Sequence, residues 1–255
     1  MGKLEQRVAI VTGGSEGIGK NIAVEFAKAG AKVVVTSRTL ANLENVAEEI
    51  RVLGGVSLAI VADVSLVNQI HKLVKQTIDE FGRIDILVNN AGTIRRTPLL
   101  EITEEDWDAV LDINLKGVFF CSQVVAKYMM EQRYGKIINI SSISGRGGGS
   151  LDWAHYCTSK AGVIMLTKCF AQKLGPYGVN VNAIAPGPTD TDMPKKGRTY
   201  DQLLEWRDNA AGRALMGRIG TTQDIANLAL FLASDDSSFI CGETIAIDGG
   251  RTDRM

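Results

Sequence analysis

Seven short runs of apolar and β-branched residues recur along the chain, at Arg7–Thr12, Ala31–Thr36, Val56–Val61, Ile84–Asn89, Lys136–Ile140, Asn180–Ile184 and Thr244–Ile247. Most gaps between them carry apolar residues at helical spacing. The runs are apolar at successive positions, as in VAIV and VVV, which suits strands covered on both faces. Strand alternating with helix, with strands buried on both sides, predicts an α/β fold: a parallel, doubly wound sheet flanked by helices. A chain of 255 residues, 45% hydrophobic and 22% charged, can bury such a core as one domain over residues 1–255. Only Pro186–Gly220 breaks the rhythm. It is polar and rich in turn residues, and it is expected to form a lid over a site at about residues 188–217.

The formal net charge of −1 provides no field to draw in nucleic acid or an anionic membrane. No apolar run approaches the roughly eighteen residues that cross a bilayer, and the opening MGKLEQRVAIV lacks a signal-peptide core, so a cytoplasmic location is expected. Cys121, Cys157, Cys169 and Cys241 are widely spaced and form no C-x-x-C pair, and His71 and His155 are the only histidines. No metal site is expected, and the partners should be small molecules.

After the first run, four glycines fall between Gly13 and Gly19, and helical spacing begins at Ile18. A strand-to-helix loop leaves the first helical N–H groups unpaired, and with the helix dipole these make a phosphate site that glycines leave open to close approach. The spacing T-G-x-x-x-G-x-G differs from the usual G-x-G-x-x-G, and taken alone it is also compatible with a plain tight turn. About twenty residues on, where such folds meet the adenosine ribose, the chain reads VVVTSRT. Ser37 and Arg38 offer a hydroxyl and a guanidinium fork suited to a 2′-phosphate, which favours NADP(H) over NAD(H). Glu16 opposes this unless it turns to solvent or pairs with Arg38.

Tyr156 and Lys160 in YCTSK are one helical turn apart, and the same helix would carry Val163, Leu166 and Phe170. A cation beside a phenol favours phenolate and should lower the tyrosine pKa toward a range useful for proton transfer. In isolation such a pair is also a common surface feature.

Together these stretches resemble the short-chain dehydrogenase/reductase family over nearly the whole chain. The matching motifs are Thr12–Gly19, Asp63–Val64, NNAG at Asn89–Gly92, Asn114 in DINLKG, ISS at Ile140–Ser142, Tyr156–Lys160, and PGPTDT at Pro186–Thr191. The resemblance implies a Rossmann sheet of seven parallel strands, a homotetramer or homodimer, and hydride exchange between a nicotinamide cofactor and a secondary alcohol or ketone. It makes Tyr156 the general acid or base, with Lys160 tuning it and binding the nicotinamide ribose. Ser142 would donate to the substrate oxygen, with Ser141 as the competing choice, because the Ser142–Tyr156 separation is one residue longer than in many relatives; the GRGGGS loop could absorb the extra residue. Asn114 would link Lys160 to solvent water, or merely satisfy a helix kink. Gly13, Ser15, Glu16, Gly17, Ile18 and Gly19 would cradle the cofactor phosphates. Ser37, Arg38, Asp63, Val64, Asn90, Ala91 and Gly92 would surround its adenosine half, and Pro186, Gly187, Thr189 and Thr191 its nicotinamide.

The loops that wall the substrate pocket in this family carry Arg95, Arg96 and Arg146, placed where a substrate carboxylate or phosphate could be held. Trp153 would wall the pocket or pack as a buried aromatic at a helix start, and His155 should point away from Tyr156. The stretch Asn90–Arg96 also resembles the branch acting on gluconate-type sugar acids. A 3-oxoacyl-carrier-protein reductase is the alternative, with Arg95, Arg96, Lys195, Lys196 and Arg198 as a docking surface for an acidic carrier. A catalytically silent nucleotide-sensing protein is the remote one.

Overall fold

Each apolar run becomes a strand in this computed structural model, which describes residues 2–147, 151–195 and 198–251. The strands are β1 (Val8–Thr12), β2 (Lys32–Ser37), β3 (Val56–Val61), β4 (Ile86–Asn89), β5 (Gly135–Ile140), β6 (Val179–Pro186) and β7 (Thr244–Ile247). They form one parallel sheet in the order β3-β2-β1-β4-β5-β6-β7. Eight α-helices are described: α1 (Gly17–Lys28), α2 (Leu40–Val52), α3 (Val67–Phe81), α4 (Glu104–Leu111), α5 (Gly117–Gln132), α6 (Ala154–Leu174), α7 (Tyr200–Gly212) and α8 (Thr222–Ala233).

In β1, β2 and β4 the apolar residues are continuous because both faces are buried, whereas β3, at the sheet edge, is partly exposed. Ala9, Val11, Val33, Val35, Ile86 and Val88 pack into one core with residues of α1, α2 and α8. Ile10, Val34 and Leu87, the intervening residues, pack on the other face with residues of α3, α5 and α6. Alternate side chains point to opposite faces, so a single polar substitution in β1, β2 or β4 would bury an unpaired group in one core or the other.

The stretch after β6 is more regular than its composition implies. Pro186 still belongs to β6, and the polar segment beyond it contains α7, whose start is set by a capping box between Thr199 and Gln202. Residues 196 and 197 of the expected lid lie outside the described residues. Arg207 on α7 forms an ion pair with Asp190, tying the helix to the loop after β6.

Between α4 and α5 the chain makes a π-helical turn, Asp112–Lys116, so that Glu104–Gln132 is one helical run. By length and composition it could cross a membrane, but 50% of its apolar window is buried inside the fold, and α5 packs on α3, α6, β4 and β5. It is a core helix here.

Candidate active site

The strand order reverses between β1 and β4, and the loops leaving these strands open a crevice at the carboxyl edge of the sheet. The glycine loop forms one lip. Gly13 has φ 62°, and a Cβ on it would come within 2.8 Å of Ala91 Cα. On Gly19 a Cβ would lie 2.3 Å from both Asn90 Nδ2 and Gly13 O. The loop and the Asn90–Gly92 segment are therefore in backbone contact, and glycine is required on steric grounds.

Thr12 and Asn90 join these two segments. Thr12 Oγ1 accepts from the backbone N–H groups of Asn90 at 3.0 Å and Ala91 at 3.1 Å, and donates to Val88 O. Asn90 Nδ2 donates to the carbonyls of Thr12 and Gly13, each at 3.0 Å. The Asn90 side chain thus braces the glycine loop. Thr12 opens the glycine motif, but nothing in its spacing reveals this bridging role, because its partners lie 78 and 79 residues away.

The groove is lined by Gly13, Ser15, Glu16, Gly17, Ile18, Ser37, Arg38, Asp63, Val64, Asn90, Ala91, Gly92 and Thr191. Arg38 and Glu16 are both exposed. Glu16 is the N-cap residue of α1, with extended backbone and no side-chain capping bond. Asp63 uses Oδ1 to accept from the Ser65 N–H at 2.9 Å and hydroxyl at 2.7 Å. Thr36, Ala62, Thr93, Ile113, Asp192 and Met193 line the groove as well and were not assigned from sequence, whereas Gly19, which was, packs against Gly13 and Asn90 instead.

Toward β5 the groove meets Ser142, Tyr156 and Lys160. A buried chain of amides and hydroxyls holds α6 to the sheet: Asn89 Nδ2 donates to Ser122 Oγ at 2.9 Å and Asn139 Oδ1 at 2.8 Å, and Asn139 Nδ2 donates to Thr167 Oγ1 at 2.9 Å. Lys160 is buried, its ammonium 5.7 Å from the Tyr156 ring centroid and donating to Ile140 O at 2.8 Å. Burial lowers its pKa to about 8.

Two serines follow Ile140, and they separate cleanly. Ser142 hydrogen-bonds the Tyr156 phenol, whereas Ser141 Oγ donates to the Lys160 carbonyl at 2.8 Å and fastens α6 to β5. Gly148–Ser150, in the loop that would absorb the extra residue, lie outside the described residues.

The expectation for the Tyr156 pKa is corrected. Burial raises it, opposed by the Ser142 hydrogen bond, and Lys160 is not among the causes. The Lys160 ammonium instead donates to Ile140 O. Asn114 is fully buried. Its amide donates to Thr93 O at 2.9 Å and Ser159 Oγ at 3.1 Å, and its oxygen accepts from Thr93 N at 2.8 Å. The side chain pins the loop after β4 to the π turn. A Cβ on Gly92 would lie 3.4 Å from Asn114 Oδ1 and 3.5 Å from Lys160 Nζ, so that glycine keeps the space between them open.

Pro186, Gly187, Thr189 and Thr191 line the same space as Tyr156 and Lys160. Gly187 N–H donates to Ile247 O at 2.9 Å and Thr189 Oγ1 to Gly187 O at 2.9 Å, which fixes the loop leaving β6. Beyond Tyr156 lies an outer cavity of about 640 Å³ whose wall includes Arg96, Ser142, Trp153, Tyr156, Arg198, Trp206, Arg213 and Arg251. Arg198, Arg213 and Arg251 converge from the segment after β6 and from beyond β7; Arg198 was read from sequence only as a docking residue, and the other two were not singled out.

Two of the arginines proposed from sequence for substrate stand outside the linings of both cavities. Arg95 pairs with Asp106 at 2.9 Å and Glu105 at 3.5 Å on α4, and it lines neither cavity. The acidic partners lie outside its own loop, so the loop sequence alone did not reveal them. Arg146 is exposed in the short turn Ile143–Arg146 and lines neither cavity. Arg96 and Trp153 do line the outer one. His155 is fully buried, lines neither cavity, and has its pKa lowered by burial. Lys196 lies outside the described residues.

The described residues fit a dinucleotide on structural grounds: a glycine cradle that a Cβ would fill, a helix N-terminus behind it, and a groove running to a buried Tyr–Lys pair. A family model described as enoyl-(acyl carrier protein) reductase matches residues 13–252. The chain belongs to the short-chain dehydrogenase/reductase family. This dehydrogenase/reductase is 42% identical to 3-oxoacyl-[acyl-carrier-protein] reductase FabG of Thermotoga maritima, over 97% of this chain and 98% of that one. It is 41% identical to the (2S)-[(R)-hydroxy(phenyl)methyl]succinyl-CoA dehydrogenase subunit BbsD of Thauera aromatica, over 98% of each. A crystal structure of a short-chain type dehydrogenase/reductase from Mycobacterium marinum superposes with a TM-score of 0.91 at 37% identity, over 98% of this chain and 96% of that one. As a member of the family the chain is an oxidoreductase acting on CH–OH groups.

Proposed function

We propose that this protein is an NADP(H)-dependent reductase of 3-oxoacyl thioesters, working as a cytoplasmic homotetramer or homodimer. The observation that carries the reading is the position of Ser142 and Tyr156, which stand on the shared wall between the dinucleotide groove and the outer cavity. A carbonyl entering from the outer cavity meets the Tyr156 hydroxyl with the nicotinamide end of the groove on its other side. The curated relatives at this similarity include reductases named for 3-oxoacyl-carrier-protein and a dehydrogenase named for a CoA thioester, which supports a thioester over a sugar acid. The sugar-acid reading also loses two of its arginines, Arg95 and Arg146.

When bound, the nicotinamide supplies the hydride for reduction or accepts it in the reverse direction. The chain's own groups move and hold the proton. Burial keeps the Tyr156 proton in place near neutral pH, the state needed to protonate a carbonyl oxygen as it becomes an alkoxide. Ser142 donates to that oxygen and polarises it. Lys160, its ammonium 5.7 Å from the ring centroid, is placed to reach the nicotinamide ribose. Ser37 and Arg38 hold the 2′-phosphate, with Glu16 turned to solvent. The segment from residue 188 to 217, carrying α7, acts as the lid.

The test is NADPH oxidation with a 3-oxoacyl thioester, a neutral ketone and a keto sugar acid, run on the wild type and on Tyr156→Phe. Turnover of the thioester by the wild type is expected, with a loss of about a hundredfold or more in the variant and cofactor affinity within a few-fold. Full turnover by Tyr156→Phe, or reduction of the sugar-acid carbonyl alone, overturns the proposal.

A further inference from the structure

Met193 stands where the binding sites meet. It opens the short turn Met193–Lys195 after β6, and it lines the dinucleotide groove, the inner space beside Tyr156 and Lys160, and the outer cavity. Among the described residues no other lines both the groove and the outer cavity. The backbone before it is fastened to the fold: Gly220 N–H donates to Pro188 O at 2.8 Å, and Asp190 N–H donates to Gly220 O at 2.9 Å. The turn itself is closed by Lys195, whose N–H donates to Asp192 O at 3.1 Å and whose ammonium pairs with the Asp192 carboxylate at 2.6 Å. A fixed main chain thus places a half-buried, unbranched thioether side chain at the junction. Methionine suits such a place, because its rotatable bonds let it fit two different neighbours and its polarisable sulfur packs well on an aromatic ring. Ordering so flexible a side chain costs conformational entropy. The first ligand to touch it meets that cost, and a second ligand touching the same side chain finds it already ordered.

We propose that Met193 couples the two binding sites: its side chain packs against the nicotinamide half of the bound cofactor and against the substrate in the outer cavity, so that each ligand strengthens the binding of the other. The inference rests on the thioester reading for the identity of the substrate. Coupling of this kind is reciprocal, so the substrate raises NADPH affinity by the same factor as NADPH raises substrate affinity.

The decisive measurement is fluorescence titration of the enzyme with NADPH, in the absence and presence of saturating 3-hydroxyhexanoyl-N-acetylcysteamine, a pair that cannot react because both ligands are already reduced. The thioester is expected to tighten NADPH binding about fivefold to tenfold in the wild type. Met193→Ala should cut that factor to about twofold or less while NADPH alone binds within about threefold of wild type, and Met193→Leu, which keeps the apolar bulk, should retain most of the coupling. A second readout needs no substrate. Under dilute hydrogen peroxide, NADP⁺ should slow conversion of Met193 to its sulfoxide about threefold or more, as read by peptide mass spectrometry. Met216, which is 72% exposed and lines none of the three cavities, serves as the reference for peroxide dose. An unchanged coupling factor in Met193→Ala, no coupling in the wild type at saturating thioester, or oxidation of Met193 that NADP⁺ does not slow overturns the proposal. If the wild type reduces the keto sugar acid and not the thioester, the thioester reading fails instead, and the same titration with the corresponding hydroxy acid decides the coupling.

Discussion

Thr12→Val isolates the bridge between the glycine loop and the loop after β4. Thr12 is 2% exposed, and valine keeps its shape while removing the hydroxyl. The Oγ1 atom accepts from Ala91 N at 3.1 Å and Asn90 N at 3.0 Å, but Asn90 N also reaches Val88 O at 3.1 Å. The Ala91 N–H therefore loses its acceptor, and the Asn90 N–H keeps one of two. A buried donor left without a partner costs about 1–3 kcal/mol, and with a fraction added for Asn90 the expected loss is roughly 2–3 kcal/mol. For a chain of this size that corresponds to a fall in Tm of about 4–12 °C. Thr12→Ser is the control, since it keeps the hydroxyl and loses only a methyl group, at about 1 kcal/mol. Urea unfolding at one protein concentration gives the stabilities, and NADPH fluorescence titration should show several-fold weaker binding in the valine variant alone. If the valine and serine variants are equally stable and bind NADPH equally well, the bridge does not hold the groove together and the argument fails.

Three further outcomes follow from the site. Ser141→Ala should lower stability by about 1 kcal/mol with modest loss of kcat, because it releases the Lys160 carbonyl, whereas Ser142→Ala should lower kcat by about a hundredfold at nearly unchanged Tm; steady-state kinetics and thermal melts showing the reverse pattern would refute the assignment. Burial lowers the Lys160 pKa from 10.5 to about 8, so the unfolded chain holds that proton more tightly, and the cost to stability grows as pH falls from about 10.5 and is complete below about 8. Urea melts of Lys160→Met against wild type should show the methionine variant gaining most at pH 7 and least at pH 10; a gap independent of pH refutes the shift. Ser37→Asp should move cofactor preference toward NADH, since the new carboxylate accepts from a 2′-hydroxyl and repels a 2′-phosphate; a wild type that binds NADH more tightly than NADPH refutes the premise.

What the sequence determined by itself is local and periodic. Successive apolar residues in β1 and β2 announced strands buried on both faces, and Gly13, Gly17 and Gly19 announced a loop that something approaches closely, because these are demands on adjacent residues. Tyr156 and Lys160 were legible as a pair for the same reason, being one turn apart on a single helix. Choices between neighbours, and between charge partners, were decided only by tertiary structure. Ser141 and Ser142 are equivalent as sequence, and one faces the Lys160 carbonyl and the other the Tyr156 phenol only once β5 and α6 are packed. Arg95 and Arg96 are likewise adjacent and chemically identical; α4 brings Asp106 and Glu105 to the first, and Trp153 lies under the second. The Tyr156 pKa turned upward because desolvation depends on the surrounding elements, which helical spacing does not contain. Arg198, Arg213 and Arg251 meet Arg96 from more than a hundred residues away along the chain, since a cavity wall is assembled by the sheet order and has no period to be read.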